Sequence, residues 1–167
     1  MSREPKILDD ILLEAGSALL DCQAFEFNLS HLLRLLVECG ACSVDIELAR
    51  LMVEGNEKKT AGQLIGMLKK FMHVESEIED ELREALKFRN HIVHRFFIEG
   101  TERFATISAR EELKSDLIKM RTCVYLVANK IHDLAAHFSQ QAGFDYDKGI
   151  SEAREEVLRA KEEFRGS

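Results

Sequence analysis

Proline occurs only once in this chain of 167 residues, at position 5, and glycine occurs only nine times. Proline breaks the interior of a helix and glycine weakens it, so long stretches of the chain are free of both obstacles. Leucine, alanine, glutamate, lysine and arginine, all strong helix formers, dominate the remaining sequence. The sequence therefore predicts an all-α fold.

Apolar residues recur at helical spacing in four long stretches. This pattern predicts an up-and-down bundle of four main helices, with short helices in addition. The first main helix is predicted to run from near Pro5 to about Cys39, where Gly40 supplies a left-handed stop. A short helix is expected from about residue 45 to residue 53.

Three segments have the spacing of a capping box, in which Ser or Thr is followed three residues later by Glu or Gln. They are Thr60–Gln63, Ser76–Glu79 and Ser108–Glu111, and they predict where the other three main helices begin. A charged helix is also expected from about Ser151 to Phe164. No linker-like composition divides the chain, so residues 1–167 are predicted to form a single domain.

The net charge of the chain is −7, which argues against a protein that coats nucleic acid nonspecifically. Any contact with RNA must come from a local basic patch. The acidic start of the chain lacks an apolar run typical of a signal peptide, and no stretch approaches a membrane span, so we expect a cytoplasmic protein without membrane contact.

Cysteine and histidine spacing gives little support for a metal site. Cys39 and Cys42 flank the predicted end of a helix, and a structural zinc would need a second pair, so we interpret them as part of a helix stop. His91 and His94 are three residues apart, but neither Glu-x-x-His nor His-Glu-x-x-His occurs. We therefore expect no catalytic metal and no cofactor.

The densest group of chemically active side chains is the segment 89–95, which reads Arg-Asn-His-Ile-Val-His-Arg inside an amphipathic helical pattern. A guanidinium and an imidazole on a rigid helix can bind a phosphate and move protons near neutral pH. The structural alternative is that Arg89 pairs with a nearby acid, such as Glu84 or Glu81, and that the histidines only pack or face solvent.

Helical geometry divides this segment into two sets. Asn90 and His94 share one face, and Lys87, His91 and Arg95 share another. The second set is expected to form the local basic patch that contacts RNA.

Arg89 lies about 140° around the helix from His94, at roughly 100° per residue. We therefore expect that one straight helix does not bring the two tips together unless the long arginine side chain reaches round it. A second copy of the helix, related by a two-fold axis, could complete the site, which predicts a homodimer.

The sequence resembles the HEPN family, small helical bundles whose signature is an Arg, often followed by Asn or Asp, with four to six residues before a His. Here Arg89 and His94 enclose four residues, the first of which is Asn90. The helical plan, with the motif in the third main helix, extends the resemblance over most of the chain.

The resemblance implies a metal-independent endoribonuclease whose two protomers bring their motifs together at the dimer interface, such as a toxin or defence effector. It gives His94 the proton transfer at the ribose 2′-OH or the leaving oxygen. It gives Arg89 the phosphate, and it gives Asn90 an orienting role.

The resemblance also allows an antitoxin or regulatory protein as a partner. One subgroup, the toxins paired with nucleotidyltransferase antitoxins, carries a tyrosine two residues after the histidine, where this chain has Phe96. The alternative function is a HEPN-like module that binds a nucleotide, an RNA or a protein partner without cutting. An ordinary helical regulator, in which the motif is structural, is a third interpretation.

Overall fold

The computed structural model describes residues 3–143, including all side chains except those of residues 3–5 and 57. This part of the chain is all-α and contains no strand, as the sequence predicted. The α-helices are α1 (Arg3–Glu38), α2 (Ile46–Val53), α3 (Ala61–Phe71), α4 (Ser76–His94), α5 (Phe96–Glu99) and α6 (Ile107–Gln141). The helix predicted at 151–164 lies outside the described residues.

The long helices α1, α4 and α6 pack together around one core. Residue numbers rise together along α1 and α6, since Lys114 contacts Asp10 and the Asn28 side chain donates to the Ala128 carbonyl, so these two helices are parallel. Helix α4 runs antiparallel to α6: Glu81 near its start contacts Lys130, whereas His91 near its end lines the same cavity as Met120.

The core follows a continuous apolar stripe on α1. The stripe repeats at helical spacing, so one face of this helix is removed from water along most of its length. Its innermost members, and the side chains they pack among, are fully buried: Ile11, Phe25, Leu29, Leu32, Leu33, Leu36, Phe71, Leu82, Leu117 and Val124. No helix in residues 3–143 is both long enough and apolar enough to cross a membrane.

Two of the sequence signals for helix ends are confirmed. Gly40 follows α1 with a positive φ of 64°, the left-handed conformation that glycine adopts without strain. Thr60 and Gln63 form a complete capping box at the start of α3: the Gln63 backbone N–H donates to Thr60 Oγ1 at 3.4 Å, and the Thr60 backbone N–H donates to Gln63 Oε1 at 2.9 Å.

The capping box predicted at Ser76–Glu79 is wrong. Ser76 is itself the first residue of α4, the preceding Glu75 is the cap, and no side chain accepts a hydrogen bond from the first turn. Glu79 points instead to α3, where its Oε1 lies 2.6 Å from Lys69 Nζ. The Glu79 side chain therefore forms an ion pair with α3 and not the capping hydrogen bond at the start of α4.

The capping box predicted at Ser108–Glu111 is also wrong. Helix α6 begins at Ile107, and Thr106 caps it by accepting a hydrogen bond from the Ala109 backbone N–H at 3.3 Å. Thr106 has the extended backbone conformation that a capping residue needs, so Ser108 already lies within the first helical turn.

Helix α4 ends earlier than its apolar pattern, which continues towards Gly100. Arg95, with φ −128° and ψ −27°, leaves the helical conformation, and the chain resumes as the single turn α5. His94 is therefore the last residue of α4, at an exposed helix end.

Thr106→Ala should lower the free energy of unfolding by about 1 kcal/mol, because it leaves an N–H group of the first turn of α6 without its acceptor. Ser108→Ala, the matched control in the same turn, should change the free energy of unfolding by less than about 0.5 kcal/mol. Urea denaturation followed by circular dichroism measures both. An equal loss for the two variants would contradict this assignment of the cap.

Candidate functional site

Arg89 extends from α4 towards α1, and only 17% of its side chain is exposed. Its Nη2 forms an ion pair with Oε1 of Glu26, a residue of α1 whose side chain is 30% exposed. The pair joins two of the three long helices at the edge of the core. It therefore fixes where the guanidinium lies.

The other end of the same guanidinium contacts the rest of the motif. Arg89 Nη1 donates to Asn90 Oδ1 at 3.0 Å and lies 3.2 Å from His94 Nε2. The exception stated in the sequence analysis applies here: the long arginine side chain reaches round α4 and brings the two tips together within one helix. A second chain is therefore not needed to bring these two tips together.

The contact between Arg89 and His94 fixes the role of the imidazole nitrogen. A guanidinium has hydrogen-bond donors and no acceptor, so His94 Nε2 must supply the lone pair. The tautomer that makes this hydrogen bond carries its proton on Nδ1, and the same tautomer can act as a base through Nε2. In this arrangement Arg89 covers the lone pair that a base would use.

A buried thiol on α1 lies near Arg89. Cys22 on α1 is 2% exposed, and burial raises the pKa of its thiol to about 11 despite the opposing effect of the nearby Arg89 charge. Arg89 Nε is also buried, without a hydrogen-bond partner among the described residues. The Arg89 side chain is thus largely removed from water, where its interactions with anions are stronger than in bulk solvent.

Glu26 is the one member of this site that the sequence did not reveal. The acids considered as partners of Arg89 were Glu84 and Glu81, which lie on the same helix, but Glu81 instead contacts Lys130 of α6 at 2.6 Å. The signal that the sequence offers for Glu26 is its position as a carboxylate at the edge of the apolar stripe on α1. Nothing local identifies its partner, because that partner is distant in sequence.

The second predicted set, Lys87, His91 and Arg95, lies apart from the motif. His91 Nδ1 and Arg95 Nη1 are each 3.5 Å from the carboxylate of Glu99 in α5, and Lys87 is exposed. Within residues 3–143, no hydrogen bond or ion pair joins these three side chains to Arg89, Asn90 or His94. Glu99 also offsets part of the positive charge expected of a basic patch.

The cysteine pair at the end of α1 has no feature of a reactive site. Burial raises the pKa of both the Cys39 and the Cys42 thiols, so they are protonated at neutral pH. Cys39 Sγ donates to the Phe138 carbonyl of α6 at 3.4 Å. In the part of the chain that the structure describes, no three His, Cys, Asp or Glu side chains are grouped so that they could hold a metal ion.

No protein-family model matches the chain, and no curated protein or solved structure is significantly similar to it. The resemblance to HEPN proteins therefore depends on the motif and on the helical plan.

Arg89→Ala should lower the free energy of unfolding by about 2 kcal/mol, because it leaves the partly buried carboxylate of Glu26 without its partner. His94→Ala, at an exposed helix end, should change it by less than about 0.5 kcal/mol. Urea denaturation measures both variants. Equal free energies of unfolding for the two variants would show that the ion pair between α1 and α4 does not stabilise the fold.

Proposed function

We propose that this protein is a metal-independent endoribonuclease of the HEPN type, with Arg89, Asn90 and His94 as its catalytic residues. The observation that supports this best is the 3.2 Å contact between Arg89 Nη1 and His94 Nε2 within one chain. It supports the proposal because a guanidinium that can bind an anion and an imidazole nitrogen that can act as a base are close enough to serve one phosphodiester. An internal 2′-OH supplies the nucleophile, so no metal-activated water is required.

In the proposed reaction, His94 Nε2 accepts the proton of a ribose 2′-OH. The 2′ oxygen then forms a bond to the adjacent phosphorus, and the bond from phosphorus to the 5′ oxygen of the next nucleotide breaks. The products are a 2′,3′-cyclic phosphate and a 5′-hydroxyl, whose proton comes from solvent or from a second imidazole. Arg89 stabilises the charge that develops on the phosphate oxygens.

The same contacts couple substrate binding to activation of the base. Phosphate oxygens compete with Asn90 and His94 for the Arg89 guanidinium. When Nη1 turns towards the phosphate, the lone pair on His94 Nε2 becomes free to accept a proton. The base is therefore available when a phosphodiester is bound, and covered when the site is empty.

A homodimer is also part of this proposal, and helix α1 provides its support. Two rows of apolar side chains spaced seven residues apart lie on its solvent side: Leu12 and Leu19, and Leu13, Leu20 and Phe27, each between 40% and 74% exposed. The first row continues, seven residues later, to Glu26, so this apolar face borders the motif. Exposed apolar area of this kind typically marks an interface, and a second copy would place two motifs side by side.

A protein partner that neutralises the enzyme cannot modify a hydroxyl at position 96. Phe96 has none, and it is 2% exposed. An antitoxin or regulatory protein would have to act on another group, such as the exposed His94.

The second candidate function is a module that binds RNA, a nucleotide or a protein without cutting. The ion pair between Arg89 and Glu26 favours it over catalysis, because an arginine held by a carboxylate can still contact a ligand without stabilising a transition state. Measurement of turnover separates the two functions.

The purified protein should cleave single-stranded or looped RNA in the presence of EDTA, leave cyclic phosphate ends and spare DNA. His94→Ala and Arg89→Ala should each lower the rate by about a hundredfold or more, and Asn90→Ala should cost less. His137→Ala, which removes an exposed histidine of α6, is the control and should leave the rate unchanged. If wild type and His94→Ala are equally inert on a broad RNA panel yet bind the same ligand, the protein is a binding module.

The protein should sediment as a dimer at micromolar concentration. Replacement of both Leu13 and Leu20 by glutamate should convert it to a monomer, because four charges would then face each other across the α1 interface. The control replaces Leu48 and Leu51, which are exposed on α2, and should remain dimeric. A wild-type monomer would contradict the proposed interface.

A further inference from the structure

Glu26 occupies a position that the proposed mechanism does not use. Its carboxylate pairs with Arg89 Nη2, while Arg89 Nη1 is held by Asn90 and His94. Both ends of the guanidinium are therefore engaged before any RNA arrives. This inference depends on the proposed function, since it concerns how the same arginine meets its substrate.

A carboxylate and a phosphate bind a guanidinium in the same way, through two oxygens that accept from its N–H groups. An RNA phosphodiester that approaches Arg89 thus meets a site in which an internal anion already holds one end of the guanidinium. The Oε1 atom of Glu26 that pairs with Arg89 is buried, while 30% of the whole Glu26 side chain and 17% of the Arg89 side chain are exposed. A substrate phosphate therefore approaches the guanidinium from its exposed side, where Asn90 and His94 lie.

We propose that Glu26 is a positioning residue that orients Arg89 and competes with the substrate phosphate for it. RNA binds only by displacing this carboxylate or by sharing the guanidinium with it. Glu26 therefore sets the affinity of the site for phosphodiesters and weakens it in the resting protein. Substrates that gain affinity from further contacts are favoured over short ones, because they offset this cost.

The matched control is Glu81. Like Glu26 it is a partly exposed acid in an interhelical ion pair, here with Lys130, and its side chain is 33% exposed. It lies near the start of α4, whereas the motif is at the end of that helix. Glu81→Gln therefore removes the same charge and the same kind of contact without touching Arg89.

The test measures the affinity for a single-stranded RNA made entirely of 2′-O-methyl nucleotides, which can be bound but not cut by 2′-OH attack. Fluorescence anisotropy gives the Kd for the wild type, Glu26→Gln and Glu81→Gln. Glu26→Gln should bind about fivefold more tightly than the wild type, and Glu81→Gln should stay within about twofold of it. The gain should disappear when Arg89→Ala is combined with Glu26→Gln, because the two residues act on each other.

Glu26→Asp provides a second route if Glu26→Gln folds poorly. It keeps the charge but withdraws the carboxylate by one methylene, so its affinity should lie between those of the wild type and Glu26→Gln. On cleavable RNA, the change at position 26 should lower KM more than it alters kcat, which a purely structural role would not produce. Binding by the position 26 variants that is equal to or weaker than that of Glu81→Gln would overturn the inference.

The outcomes separate this inference from the proposed function. If no variant cuts RNA but Glu26→Gln binds the 2′-O-methyl RNA more tightly, competition by Glu26 stands and the enzyme proposal fails. If the wild type cuts RNA but Glu26→Gln binds no more tightly, the enzyme proposal stands and the competition is disproved. Absence of RNA binding by every variant would overturn both.

Discussion

Burial of the apolar stripe on α1 is the constraint on which the rest of the structure depends. Phe25 and Leu29 in this stripe are fully removed from water, and α4 and α6 pack beside them. Burial of large apolar side chains contributes about 1.5–3 kcal/mol each, so this packing outweighs any single polar contact at the surface. Glu26 lies next to Phe25 in the sequence, and the packed helix therefore presents its carboxylate to Arg89 of α4.

Arg89 is therefore shared among three partners: Glu26, Asn90 and His94. A guanidinium that contacts a carboxylate, an amide and an imidazole is held in one geometry, and here its side chain is largely removed from water. Such a guanidinium can bind a phosphate, but only if the phosphate replaces at least one of the contacts that it already makes. The arrangement thus joins a structural role, the connection of α1 to α4, with the chemical role that we propose, control of the His94 lone pair.

Local signals in the sequence predicted much of the fold, because helix formation and its stops depend on neighbouring residues. Apolar spacing predicted the main helices. The helix stop at Gly40 and the cap at Thr60 are confirmed, because each depends on the residue's own backbone or on a residue three positions away. Ser76 and Ser108 were misread as caps, since the same short pattern occurs inside a helical turn when another residue precedes it in the extended conformation.

The candidate site was predicted only in part for the same reason. The residue types and spacing of Arg89, Asn90 and His94 could be read from one helix, but Glu26 could not, because a contact between distant segments has no local signature. The angle between Arg89 and His94 describes Cα directions only, so it left open whether the long arginine side chain reaches round the helix.

The most direct test of the central claim uses an oligonucleotide in which every sugar is 2′-O-methylated except one ribose. In EDTA, the wild-type protein should cut only on the 3′ side of that ribose, and mass spectrometry should find a cyclic phosphate on the 5′ fragment. His94→Ala should leave the oligonucleotide intact. Cleavage at the methylated positions, or cleavage that persists without His94, would contradict the account.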